Sequence, residues 1–352
     1  MSIVNRFNPQ KSPDFNGDGK TDVFWFNRDT RQTEFWLLDG VSLKQQSASV
    51  TIGTSGWQDP VAADFDGDGK SDLFWRNSQT GDNVFWLMDG TTIREMKFIP
   101  QIDRLWQAQI GDFNGDRKAD LLWHNDRTGE NQIWLMNGIE RTQQATLPTL
   151  LDWQPQIADF SADGKSDLFF RNRNTGENQV WTIDGGTLLR QETVRSQAPA
   201  WSYELADYNG DGRSDAIWRD SVTGRLVVWE WSADGITPSA TDLELPAKGR
   251  DFQYFFTDFN NDRRSDIIVR NPSTGESQLW INEGQTLRYF DLFGLPGDWQ
   301  PIPVDLDGNS QGDLVWRNNT GAVLTWRLEN QRVVELNVLP MKSLAEQWVP
   351  VW

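Results

Sequence analysis

The chain has 352 residues, a formal charge of −18 and a hydrophobic content of only 37%, with 20 Trp and 19 Phe supplying much of its apolar volume. It has no Cys, which excludes disulfides and thiolate metal sites, and a single His, His124, which argues against histidine-rich zinc sites and against Ser-His-Asp or Cys-His catalysis. No basic stripe is left to bind phosphates, so nucleic acid is not an expected partner, and no apolar run of about 18 residues is present to insert in a membrane.

Residues 1–13 are polar and unpatterned, and residues 1–7 carry no apolar run of signal-peptide type. From Asp14 onward a nine-residue acidic stretch recurs seven times, at 14–22, 64–72, 112–120, 159–167, 207–215, 258–266 and 305–313. Steps between the opening aspartates are 50, 48, 47, 48, 51 and 47 residues. Such a period predicts propeller blades, which run at about 40–50 residues with four strands each. Residues 1–352 are therefore expected to form a single all-β domain, a seven-bladed β-propeller.

Residues 57–104 show the unit. Residues 57–63 predict a short first strand that feeds the acidic loop. The unbroken apolar run of residues 72–77 predicts a second strand buried on both faces. A turn at 78–81 leads to a third strand over 83–88, and Asp89-Gly90 is a hairpin signal. The fourth strand, 92–98, is more polar, as an outermost strand should be. No segment sustains a helical period, so the unit reads as an antiparallel meander.

Third-strand tryptophans recur at Trp36, Trp86, Trp134, Trp181, Trp229, Trp280 and Trp326, and are expected to wedge between blades. First-strand aromatics occur at Trp57, Trp106, Trp153, Trp201, Phe252, Trp299 and Trp348. Trp348 opens a last apolar stretch with no acidic loop after it, whereas the loop at Asp14 has no tryptophan strand before it. The C-terminal strand is therefore expected to join the first blade and close the ring, which removes an open edge.

Oxygen ligands fall at loop positions 1, 3, 5 and 9, and a backbone carbonyl is available at position 7. The candidate metal residues are thus Asp14, Asn16, Asp18, Lys20 and Asp22; Asp64, Asp66, Asp68, Lys70 and Asp72; Asp112, Asn114, Asp116, Lys118 and Asp120; Asp159, Ser161, Asp163, Lys165 and Asp167; Asp207, Asn209, Asp211, Arg213 and Asp215; Asp258, Asn260, Asp262, Arg264 and Asp266; and Asp305, Asp307, Asn309, Gln311 and Asp313. Hard cations need this pattern, since Ca²⁺ takes roughly 6–8 oxygens and alternate residues of a tight turn aim inward. The last Asp of each loop is expected to offer a bidentate carboxylate. EF-hands share the start of the motif but need a Glu at position 12 and flanking helices, so they do not fit. Arg117 and Arg263 replace Gly at position 6, Ser161 replaces an acid or amide, and Asn309 and Ser310 depart from Asp and Gly. The loops at Asp14, Asp64 and Asp207 fit best, and those at Asp258 and Asp305 least.

These units resemble the FG-GAP and VCBS repeats of seven-bladed propellers, a group that includes integrin α-chain heads, a fungal calcium-containing lectin family and many bacterial secreted proteins. The resemblance covers residues 14–352 and rests on the Asp-x-Asp/Asn-x-Asp-x-x-x-Asp loop between first and second strands. The eponymous Phe-Gly and Gly-Ala-Pro motifs are not clearly present. It implies up to seven structural Ca²⁺ ions in the loops. The tryptophan-rich blades are also similar to those of propeller lectins, which hold sugars between or on blades.

At the other end of the strands the meander collects Trp57, Trp106, Trp153, Trp201, Trp299 and Trp348 with Arg76-Asn77, His124-Asn125, Arg171-Asn172, Arg219, Arg270-Asn271 and Arg317-Asn318. Aromatic faces with convergent polar groups suit a pyranose. The same residues also read as turn chemistry, with Asn closing Asn-x-x-Thr-Gly turns and Arg bridging a neighbouring carboxylate. The expected function is a calcium-stabilised, multivalent carbohydrate-binding propeller. The alternatives are a protein-binding adhesion module of integrin-head type and, third, a polysaccharide-active enzyme. No single repeat holds an unusual catalytic constellation, so no catalytic residue is expected. Glycans or a cell-surface protein are the expected partners, and a calcium-rich extracellular or periplasmic setting is favoured.

Overall fold

The computed structural model describes residues 12–53, 55–342 and 348–351. Residues 1–7, which carry no apolar run of signal-peptide type, and the terminal Trp352 lie outside them. The chain forms seven antiparallel sheets of four strand positions each, the seven-bladed β-propeller expected from the repeat. Among the described residues there is no helix long and apolar enough to cross a membrane. Two compact units are distinguished. One contains the blades of the Asp14, Asp64, Asp258 and Asp305 loops, and the other, Leu105–Asp251, contains those of Asp112, Asp159 and Asp207.

The Asp64 blade shows how sequence sets each strand. Its second strand, Asp72–Arg76, and most of its third, Asn83–Asp89, are buried, because both faces pack against other apolar surfaces. The outer strand, Thr92–Ile99, has only exposed and half-buried residues and carries the polar side chains. Its first strand is short, Val61–Ala63, with an isolated bridge between Trp57 and Asn77 at the far end. The first blade is completed by Trp348–Val351, which pairs antiparallel with Val23–Asn27 in the register Phe24↔Val351 to Asn27↔Trp348. The expected closure by the C-terminal strand is therefore present.

The core lies between sheets. Between the Asp14 and Asp64 blades, Phe15, Phe24, Phe26 and Phe35 pack with Trp75 and Trp86. Phe24 meets Trp75 edge-on at 5.6 Å and 80°. Between the Asp159 and Asp207 blades, Phe160, Phe169, Trp218, Trp229 and Trp231 do the same. All seven third-strand tryptophans are buried, as the wedge reading requires. Large aromatic faces explain how a chain poor in aliphatic residues still fills these interfaces.

In five blades the pairing of third and outer strands shifts register, between Leu37/Leu38, Leu87/Met88, Leu135/Met136, Thr182/Ile183 and Arg327/Leu328. A bulge releases an amide from the ladder, and each of these released amides has a use in the acidic loop.

Candidate functional site

The loop connecting first to second strand is built on side-chain acceptors. In the Asp64 loop, Asp64 Oδ1 accepts the Gly67 amide at 2.6 Å and Oδ2 that of Gly69 at 2.9 Å. Asp66 accepts from Asp68 at 3.1 Å, and Asp68 from Lys70 at 2.9 Å. The turn requires left-handed backbone, with φ of 81° at Gly67 and 83° at Gly69. Where glycine is missing the shape persists: Arg117, Arg263 and Ser310 adopt φ of 66°, 72° and 64°. A side chain in this region costs roughly 1–2 kcal/mol, so those loops hold the same form under local strain.

The ninth-position aspartate has a role the loop spacing did not reveal. Asp72 is fully buried; its Oδ2 accepts the Phe65 amide at 3.0 Å and its Oδ1 the Met88 amide of the third strand at 2.8 Å. Asp22, Asp120, Asp167, Asp215, Asp266 and Asp313 do likewise, reaching Leu38, Met136, Ile183, Trp231, Asn282 and Leu328. Five of these amides are the ones released by the bulges, and that of Trp231 lies just past its third strand, Leu226–Trp229. The carboxylate thus ties loop to blade, and a metal bound there would share oxygens that already accept amides. A bidentate carboxylate at this position would therefore coordinate through oxygens that also accept the Phe65 and Met88 amides.

Burial pushes these carboxyls up, to about 7 at Asp72 and Asp313, about 6 at Asp167 and about 8 at Asp215. A folded-state value raised above the unfolded one means that the metal-free native state holds more protons than the unfolded chain. The associated stability is complete below about pH 4 and is lost as pH rises through 6 to 8. In chelator, the melting temperature is therefore expected to fall between pH 5.5 and 8.5. A flat or rising melting temperature over that window would contradict it.

The donor set is oxygen only, which suits Ca²⁺ or Mg²⁺ and not softer metals. Carboxylate oxygens of Asp64, Asp66 and Asp72 lie within 4.8 Å of one another, as do those of Asp305, Asp307 and Asp313. The Asp305 loop therefore gathers its acids despite Asn309 and Ser310. At position 7 the lysines turn away, Lys70 and Lys165 reaching Asp89 and Asp184 at 2.5 and 2.6 Å and Lys20 pairing with Asp39, whereas Arg213 folds back onto Asp211 of its own loop at 3.2 Å.

Position 8 links successive loops. The amides of Ser71, Ser166, Ser214 and Gly312 donate to the carbonyls of Asp14, Asp112, Asp159 and Asp258 at 2.6, 2.6, 2.7 and 2.9 Å, and Thr21 donates to Asp305 at 2.8 Å. The hydroxyls of Ser71 and Ser166 accept the Asp14 and Asp112 amides at 2.9 Å. The recurring Ser or Thr at this position was the available signal.

At the opposite strand ends, burial separates the proposed ligand residues. Arg76, Arg171 and Arg270 are 1%, 4% and 0% exposed, so their guanidinium groups face the interior. Arg76 donates to Asn83 Oδ1 at 2.9 Å and to the Asp103 carbonyl at 2.8 Å. Arg171 reaches Asn178 and the carbonyls of Gln197, Ala198 and Trp201, and lies over Trp218 at 4.7 Å. Arg270 reaches Ser277 and the carbonyls of Pro296 and Trp299. Arg219 and Arg317, half-buried, donate to the Arg250 and Trp348 carbonyls. These arginines fasten a turn to the segment leading into the next blade. Burial takes the guanidinium groups of Arg76, Arg171 and Arg270 out of direct contact with a ligand, which corrects that expectation for these three, whereas Arg219 and Arg317 are only half-buried.

His124 is buried, with Nδ1 2.8 Å from Asn131 Oδ1, and burial holds its pKa down. Asn77, Asn125, Asn172, Asn271 and Asn318 accept amides two residues on, the turn chemistry weighed as the alternative. Trp348 is buried, whereas Trp57, Trp106, Trp153, Trp201 and Trp299 are half-buried. Beside the turns stand exposed hydroxyl–acid pairs: Thr80 with Asp82 at 2.6 Å, Thr128 with Glu130 at 2.7 Å and Thr175 with Glu177 at 2.8 Å.

Residues 14–75, 64–123, 112–170, 159–218 and 207–269 each match the family model of an FG-GAP-like repeat. No curated protein sequence matches the chain significantly. Among solved structures, a lectin of Agrocybe aegerita, described as specifically recognising non-reducing terminal N-acetylglucosamine, is similar with a TM-score of 0.70 and 14% identity over 95% of both chains. Kuenenia stuttgartiensis hydrazine synthase gives 0.51 at 12% identity, over 97% of this chain and 100% of that one. The dihydro-haem d1 dehydrogenase NirN gives 0.53 at 11%, over 97% and 77%. At such identities the likeness is one of fold alone.

Proposed function

The chain belongs to the FG-GAP-like repeat family, and from that premise we propose that it is a calcium-stabilised, multivalent carbohydrate-binding propeller. The observation that carries the reading is the recurrence, at one end of the blades, of a half-buried tryptophan near an exposed hydroxyl–acid turn. In the Asp112 and Asp159 blades, the Gly129 carbonyl accepts the Leu150 amide at 2.8 Å just ahead of Trp153, and Gln154 reaches Asp126 at 2.9 Å. In the next pair, the Gly176 carbonyl accepts the Gln197 amide at 2.9 Å ahead of Trp201. An indole face accommodates the apolar C–H face of a sugar, while Glu130 or Glu177 accepts from its hydroxyls. Recurrence makes weak sites additive through avidity. The loops supply rigidity and Ca²⁺ would occupy the oxygen sets described above, a demand best met in an extracellular or periplasmic setting. No catalytic role is assigned, since the buried carboxylates are held by backbone amides.

A glycan array probed with and without chelator tests this. Wild type is expected to bind, and Trp153→Ala with Trp201→Ala to weaken multivalent binding by about tenfold or more. Binding to no glycan would sink the reading, and depolymerisation of an arrayed polysaccharide would point to an enzyme. A protein-binding adhesion module remains the second reading, favoured by the exposed row of Val334, Leu336 and Val338 at 47%, 58% and 64% on one outer strand. Cell-surface binding that survives glycosidase treatment would support it.

A further inference from the structure

Five loops carry a neutral residue at position 3, namely Asn16, Asn114, Ser161, Asn209 and Asn260, whereas Asp66 and Asp307 are acidic there. In these two loops that extra acid lies with the acids of positions 1 and 9, carboxylate oxygens of all three being within 4.8 Å of one another. Each additionally receives an arginine from a later strand of its own sheet. Arg94, in the outer strand Thr92–Ile99, pairs with Asp66 Oδ2 and, at 3.2 Å, with Asp68 Oδ2. Arg327, in Val323–Glu329, lies 3.6 Å from Asp307 Oδ2 and 3.2 Å from Glu335.

The oxygens chosen matter. Oδ1 of Asp66 and of Asp68 already accept loop amides, so the guanidinium takes the oxygens left for a cation. We infer that Arg94 is a resident competitor cation of the Asp64 loop, lowering the calcium affinity that its extra carboxylate would otherwise give, and that Arg327 acts likewise on the Asp305 loop. The inference rests on the calcium reading above. An added carboxylate strengthens attraction for a divalent ion, while a guanidinium against the same group cancels that charge and must move or share its oxygens on binding. The Arg94 side chain is 44% exposed and so has solvent to move into, whereas Asp66 is 17% exposed and stays in the loop. Without metal, the arginine also relieves the repulsion among the four aspartates of this loop. A loop so equipped fills at higher calcium than its own acids would dictate.

The test is a site-resolved calcium titration of the intact protein by amide NMR. Gly69, whose N–H donates to Asp64, reports on this loop, and Gly19, which donates to Asp14, reports on a loop with Asn at position 3. In Arg94→Ala the Gly69 midpoint is expected to move to calcium lower by on the order of tenfold, with Gly19 unmoved. Arg94→Lys should restore part of the difference, and in Asp66→Asn the gain from Arg94→Ala should shrink. A Gly69 midpoint unchanged or raised in Arg94→Ala, while Gly19 still titrates, overturns the role of Arg94 and leaves the calcium reading standing. If neither glycine responds to millimolar calcium, the calcium reading fails and this inference with it.

Discussion

Chelation of the calcium-loaded protein is expected to lower its melting temperature by roughly 15 °C or more, and added Ca²⁺ to restore it. A ligand bound only to the native state stabilises by about 2.7 kcal/mol per site at a hundredfold excess over Kd. Four filled loops would contribute about four times that, and a domain of this length gains roughly 1.4 °C per kcal/mol. The direction follows from the loop itself. Burial raises the ninth-position carboxyls towards neutrality, so the metal-free native state carries an ionisation penalty that a divalent cation offsets. Mg²⁺ at equal concentration should restore less, because its smaller octahedral shell suits these loops poorly. An unchanged melting curve in chelator would reject a structural metal.

Asp72→Ala is expected to destabilise by about 3–5 kcal/mol, and to do so in chelator as well as in calcium. The substitution leaves the buried amides of Phe65 and Met88 without acceptors, at about 1–3 kcal/mol each with the loss of the tie itself added. Asp72→Asn should recover only part, since one amide oxygen replaces two carboxylate oxygens and its NH₂ opposes an N–H. Asp66→Ala is the contrast. Asp66 is partly exposed, so its loss should cost under about 1 kcal/mol without calcium and appear mainly in calcium dependence. Denaturant titrations with and without chelator separate the two. If Asp72→Ala costs stability only when calcium is present, its carboxylate is a ligand first and the tie to the third strand is secondary.

These two aspartates also show where sequence reading stops. Period, strand order, the third-strand wedges and the joining of Trp348 to the first blade were all legible, because each rests on spacing and apolar pattern. The metal-type loops were legible because alternate oxygens in a tight turn have few other uses. What spacing could not supply was direction. Nothing near Asp72 in sequence indicates that it reaches Met88, since the amide is freed by a bulge in a different strand pair. Arg76 and Arg270 read as ligand candidates or as partners of a neighbouring carboxylate, and arginine is rarely buried as fully as these two are. Here backbone carbonyls from the segment entering the next blade supply acceptors, which overrides that preference. Ser71 and Ser166 carried no sequence expectation, because their partners are in the preceding loop.

The pairing of Phe24 with Val351 and of Asn27 with Trp348 has a consequence for synthesis. The first blade to leave the ribosome is the last that can be finished, because its innermost strand is made some three hundred residues later. Until then the inner edge of Val23–Asn27 offers unpaired amides and carbonyls to whatever strand is at hand, including that of a neighbouring nascent chain. The early blades must wait in a partly assembled form, and the step that ends the wait spans nearly the whole polypeptide, which makes it slow by loop-closure entropy. Translation speed and chaperone access would therefore bear on yield more than the stability of the finished molecule does.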